Sequence, residues 1–133
     1  MKRLLVVVCA SVLILSACQQ AQTEKSLYGS WDYQFVRYKF NEDGSWSRVD
    51  IISTSGGASV GRNPINWGTF TFDGKLLTMF TDEESRDCSG QTGIYEITFP
   101  EEGSWNLIFK KVEDPCSVRE KEMINKFYLR YSP

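Results

Sequence analysis

From Leu27 to the end of the chain, apolar residues recur at every second position in short runs that stop at glycine, proline, asparagine or aspartate. A period of two sends alternate side chains to opposite faces of an extended backbone, whereas a helix needs a period near 3.6. The chain is therefore confined to strands joined by tight turns. The first run, "WDYQFVRYKF", puts Trp31, Tyr33 and Phe35 on one face and Val36, Tyr38 and Phe40 on the next alternation. The phase slip between Phe35 and Val36 predicts a β-bulge or a bend. "NEDG" at 41–44 reads as a turn, and "SWSRVDIIS" resumes as a strand with aromatic and β-branched residues. "NWGTFTF" and "LLTMFT" flank "DGK", and "GIYEITF" and "SWNLIFKKV" flank "PEEG", in hairpin style. "NKFYLRYSP" aligns Phe127, Leu129 and Tyr131 on one face. Only after "EDPC" does a helical turn fit, with Asp114 as N-cap and Pro115 as its first residue. "TSGGASVGRNP", Thr54 to Pro64, is too rich in glycine to pack and reads as a surface loop. Seven or eight short strands with almost no helix predict an all-β fold. Closure into an antiparallel up-and-down barrel of about eight strands hides the edges that a meander would expose.

The N-terminus obeys different rules. Lys2 and Arg3 precede an uninterrupted apolar run from Leu4 to Leu15. That run is shorter than the roughly 20 residues a membrane-spanning helix needs, and it has the form of an export signal. It ends in Leu15-Ser16-Ala17-Cys18, which resembles the lipobox of bacterial lipoproteins. The resemblance implies a thioether-linked diacylglycerol on Cys18, cleavage before it, and acylation of the new amino group with a chain such as palmitate. Two or more acyl chains hold a protein stably at a membrane, whereas one holds it only marginally. The organisation expected is a signal peptide over 1–17, a lipidated N-terminus with the polar tether "QQAQTEK" over 18–26, and a barrel domain over 27–133. The second position after cleavage is Gln19 and not aspartate, which leans toward an outer membrane over an inner one. The domain would then face the periplasm or the cell exterior.

Removing the leader assigns the cysteines. Cys9 leaves with it and Cys18 carries lipid, so Cys88 and Cys116 remain in an exported domain, where an even remainder reads as a disulfide. Metal binding, the rival use of that pair, needs more ligands, and the chain has no histidine. The same lack excludes Ser-His-Asp and Cys-His catalysis. Taking 17 of 133 residues away leaves 116, enough for one domain with one modest core. Loss of Lys2 and Arg3 leaves 13 basic against 17 acidic side chains, a net of −4, and nothing basic is clustered as a nucleic-acid surface requires.

At Gly29-Ser30-Trp31, in "LYGSW", the first strand resembles the G-x-W motif of lipocalins. The later run "C…GIYE…LIF…V…DPC…R" is similar to small bacterial lipocalin-like domains, which are often lipoproteins. The resemblance covers residues 27–131 and implies that Trp31 plugs one end of an eight-stranded barrel. It also implies that a basic residue of the last strand, Arg130, packs over that tryptophan.

The candidate ligand-facing residues are Trp46, Trp67 and Trp105, since tryptophan offers a large flat face and one donor. Core and rim packing is the competing use of each. "TDEESRDC" gathers Asp82, Glu83, Glu84 and Asp87, but not at EF-hand spacing, and reads as a solvated acidic loop with no metal. Asp114 and Arg119 flank Cys116 closely enough to pair and support the loop. No catalytic constellation and no cofactor site is legible, so the chain is not read as an enzyme. The leading expectation is an anchored envelope lipoprotein binding a small apolar ligand or lipid. The alternative is a protein-interaction or inhibitor module acting through exposed loops such as Thr54 to Pro64. Barrel strands this short can also fill their interior with their own aromatics.

Overall fold

A computed structural model describes residues 27–100 and 106–132. Its nine strands are β1 Gly29–Tyr33, β2 Val36–Phe40, β3 Ser45–Thr54, β4 Gly57–Val60, β5 Asn66–Phe72, β6 Leu76–Thr81, β7 Thr92–Thr98, β8 Asn106–Glu113 and β9 Phe127–Tyr131. Among the described residues one helix longer than a turn, α1 Ser117–Met123, joins β8 to β9. Pairing runs β2-β1-β9-β8-β7-β6-β5-β3 and returns through β2–β3, so eight strands close into an antiparallel barrel. β4 stands outside the ring and extends β3 as a two-stranded ribbon. The expected fold class is present.

Two local readings change. The phase slip in "WDYQFVRYKF" is a hairpin, with Gln34 and Phe35 as the turn between β1 and β2. Gln34 carries a positive φ of 51°, and Phe35 projects into solvent. Alternation that restarts after two residues looks the same in sequence whether the chain bulges or reverses. The glycine-rich stretch, read as a loop, instead forms β4, every residue of which is exposed. Its backbone pairing with Ile51–Thr54 needs no packed side chains.

The helix starts later than expected. Its N-cap is Cys116, whose Sγ accepts from the Arg119 amide, while Asp114 Oδ1 accepts from the Cys116 amide one turn earlier. Cys88 and Cys116 are disulfide-bonded, with Cα atoms 5.4 Å apart, and this ties the start of α1 to the β6–β7 loop. Closing a loop of separation 28 is worth about 3–4 kcal/mol in chain-entropy arithmetic. Cys88→Ser should therefore lower unfolding stability by about that amount. A urea midpoint shift matched by reduced wild-type protein is the expected result.

Candidate functional site

The barrel has two ends and an interior, and each is occupied by the chain's own side chains. At one end Trp31 is fully buried, its indole N–H donates to Leu27 O at 2.7 Å, and the Arg130 guanidinium lies 4.6 Å from its ring centroid. That is the arrangement implied for Gly29, Trp31 and Arg130. Gly29 serves it through conformation: its φ of +119° favours glycine, although a Cβ there would meet nothing within 4 Å.

The interior is lined with aromatics. Tyr38 stacks on Trp46, and Phe109 meets Tyr95 and Tyr128 edge-on, with centroids 5.2–6.1 Å apart, the range of favourable ring pairs. Phe40 packs edge-on against Phe70, and Leu77, Met79 and Leu107 fill the remaining inward positions with no exposure. Trp46 belongs to this core: it is 2 % exposed, and its indole N–H donates to Phe80 O at 3.0 Å. It is a packing residue and not a ligand-facing one. Trp67 lies opposite Ser47 on β3, flanked along β5 by the inward Asn66 and Phe70, so it sits half-buried on the barrel's outer face and does not line the interior. Trp105 lies outside the described residues, as does Cys18.

At the other end α1 crosses the mouth. Its first half is bound at β6 and β7: Arg119 donates to Thr81 Oγ1 and to Gln91 O. Arg119 also forms a bidentate pair with Asp114, with Nε–Oδ2 at 2.7 Å and Nη2–Oδ1 at 2.8 Å, and both side chains are almost wholly buried. Tyr95 OH donates to the same carboxylate. Burial pushes the Asp114 carboxyl upward, but the bonds from Arg119, Tyr95 and the Cys116 amide overcome this and hold it below the ordinary carboxylate range. Burial and the neighbouring carboxylate push the Tyr95 hydroxyl far up, so it remains a donor. Gly93 leaves the room required: a Cβ there would stand 2.7 Å from Asp114 Oδ2.

The second half of α1 is bound across the ring, at β2 and β3. Glu122 accepts from Arg48 Nη2 at 2.7 Å and Nε at 3.3 Å, and from Tyr38 OH at 2.9 Å. Tyr128 OH donates to the Glu122 main-chain carbonyl at 2.9 Å. Arg48 Nη1 lies 2.7 Å from Asp50 Oδ1 as an ion pair without hydrogen-bond alignment. Burial and the Glu122 charge push the Tyr38 hydroxyl up, so it too stays protonated. Met123, next along α1, is fully buried. The helix thus spans the mouth from β6 and β7 to β2 and β3, pinned at both ends by guanidinium–carboxylate pairs.

Arg48, Glu122 and Tyr38 were not singled out from sequence, although a signal existed. Arg48 is two residues from Trp46 on a strand and therefore shares its inward face; Glu122 is three residues from Arg119 on a helix and shares its turn. The acidic loop is less solvated than expected. Ser85 is buried, accepts from the Trp67 amide and donates to the Trp67 carbonyl, which moors the loop to β5. Among the described residues no group of three or more histidine, cysteine, aspartate or glutamate side chains could hold a metal ion. No family model, curated protein or solved structure matches this chain.

Proposed function

We propose that this chain is an acyl-anchored envelope lipoprotein whose barrel serves as a protein-interaction module through its outer surface. The observation that supports this choice over a carrier is the occupied interior: Trp31 fills one end, α1 crosses the other, and packed aromatics fill the space between. The surface best suited to a partner is the β3–β4 ribbon, which includes most of the glycine-rich stretch from Thr54 to Pro64. Within the described residues β4 pairs with β3 alone, so its outer edge offers unpaired backbone groups to an incoming strand. Ile52 and Val60 add exposed apolar side chains to it.

The edge can be blocked without unfolding the ribbon. Gly61 N–H donates to Asp50 O, and residues 57 and 59 alternate with it toward β3, so the Ala58 and Val60 amides point outward. Ala58→Pro removes one outward donor from an exposed position. Native mass spectrometry of protein taken from its own membrane should show a protein partner that is lost in Ala58→Pro. A co-purifying small molecule or lipid, retained in that variant, would overturn this reading.

A second reading, a small apolar ligand or lipid inside the barrel, has one feature in its favour. Glu122 and Met123 fill the mouth with a carboxylate on Arg48 and Tyr38 and an apolar side chain beneath it. A ligand with the same two features could enter only where α1 leaves. The anchor itself is tested by intact mass: the membrane form should begin at Cys18 and carry acyl groups.

A further inference from the structure

β9 is paired on both sides, to β1 and to β8, yet its outward positions are apolar. Phe127 is 61 %, Leu129 57 % and Tyr131 45 % exposed, while the intervening Tyr128 is fully buried and Arg130 covers Trp31. The face that Phe127, Leu129 and Tyr131 share is therefore the outer one. A strand that keeps three large apolar side chains in water at consecutive outward positions marks a surface that meets something other than water.

The neighbouring outward positions say what that something is. In register with these residues, β1 and β2 present Asp32, Arg37 and Lys39, and β8 presents Asn106 and Ile108, with Lys110 one outward position beyond Ile108. Arg37 neutralises Asp32 through two bonds of 2.6 and 2.7 Å and lies 3.7 Å over the Tyr131 ring, leaving the exposed Lys39 and Lys110 on either side of the apolar strip. Glu96, opposite Lys110 on β7, is paired with Lys75 at 3.8 Å. This face thus carries more basic than acidic side chains on a chain of net charge −2. Apolar side chains rimmed by lysine and arginine suit an anionic lipid surface. A second copy fits poorly, because a two-fold contact would bring the same cations together.

We propose that the outer face of β9 rests on the bilayer, with Phe127, Leu129 and Tyr131 at the level of the headgroups and Lys39 and Lys110 against anionic lipid. The proposal builds on the acyl-anchor reading. Leu27 leads into β1, whose Ser30 pairs with Tyr131, and nine residues from Cys18 to Ser26 reach at most about 30 Å. The anchor therefore keeps the barrel within that reach of the membrane.

The test uses the acylated chain in phosphatidylglycerol-containing vesicles, with a nitroxide on Leu129→Cys, on Phe127→Cys, or on Thr71→Cys, an outward β5 position among strands remote from β9. Accessibility to oxygen relative to a water-soluble nickel chelate should be several-fold higher at 127 and 129 than at 71, and should fall toward the value at 71 in Lys39→Glu/Lys110→Glu. Equal chelate access at all three sites on an acylated chain overturns the bilayer contact and leaves the anchor intact. Shielding of 127 and 129 from both reagents reports a protein contact and also overturns it. Intact mass of the same sample reads acylation separately: a lipid signature at 129 on an unacylated chain upholds the contact and removes the anchor.

Discussion

Arg119→Met should lower unfolding stability by about 3–5 kcal/mol, because it leaves the Asp114 carboxylate buried without its cation. Both side chains are almost fully enclosed, and Arg119 also holds Thr81 and Gln91 on the far rim. For a small domain that is a large share of a net stability of roughly 5–15 kcal/mol. The pH dependence separates this cause from simple loss of packing. In the native protein Asp114 is held below a carboxylate's ordinary pKa of about 3.9. Its contribution is therefore present above that pH and is lost as pH falls through the lower folded value. In Arg119→Met the carboxyl keeps its burial and its bonds from Tyr95 and the Cys116 amide but loses those from Arg119, so its folded value rises above that in the wild type. The cost is then fully present at neutral pH and relieved as the solution is acidified toward pH 4. Urea midpoints at pH 7 and pH 4 should show the gap between variant and wild type narrowing. A gap independent of pH would mean that Arg119 matters as volume alone. Because the Asp114 pair holds the first half of α1 over the mouth, the variant should also expose Met123 and Tyr95 to solvent.

The pair was readable in outline from "DPCSVRE", where five positions separate the charges. That spacing predicts contact, but not burial or the partners Tyr95 and Thr81, which arrive from other strands. The same division runs through the molecule. Period two revealed the strands and the closed barrel, because backbone alternation is a local property. The inside of the barrel was legible where an aromatic alternated with polar residues, as at Trp31 and at Tyr38 with Phe40. It did not decide β9, where both faces carry aromatics: the more apolar set, Phe127, Leu129 and Tyr131, faces outward, and Tyr128 with Arg130 faces inward. Hydrophobic count alone would place this strand inside out; the register fixed by the Trp31–Arg130 pairing places it correctly. Trp46 and Trp67 differ by an odd number of residues from the inward positions of their respective strands in only one case. Parity against Arg48 and Phe70 therefore sorts them once the neighbouring register is known. The cover of the mouth was the least legible feature. It depends on Glu122 meeting Arg48 and Tyr38 across 74 and 84 residues of sequence, and no local pattern encodes so distant a contact.

Gly68→Ala should be still more damaging than any side-chain deletion in the barrel wall, with a loss above about 4 kcal/mol. Gly68 lies on β5 between Trp46 of β3 and Thr81 of β6. A Cβ there would stand 1.9 Å from Phe80 O and 2.9 Å from its carbonyl carbon, both main-chain atoms that no rotamer change can move. It would also reach within 3.0 Å of Trp46 Nε1, the donor to that same carbonyl. The methyl group must therefore displace β6 from β5 and break the Trp46 bond together. Displacing β6 moves Thr81, to which Arg119 is bound, so the damage should reach the covered mouth. Alanine is a better strand former than glycine in an unobstructed position, and propensity alone predicts a small gain. The opposite sign is expected here. Urea unfolding followed by tryptophan fluorescence reads the stability, and near-ultraviolet circular dichroism reads the packing of Trp46 against Tyr38. A variant with native midpoint and native signal would mean that β5 and β6 separate freely at this point, and that the barrel is closed more loosely than its register requires.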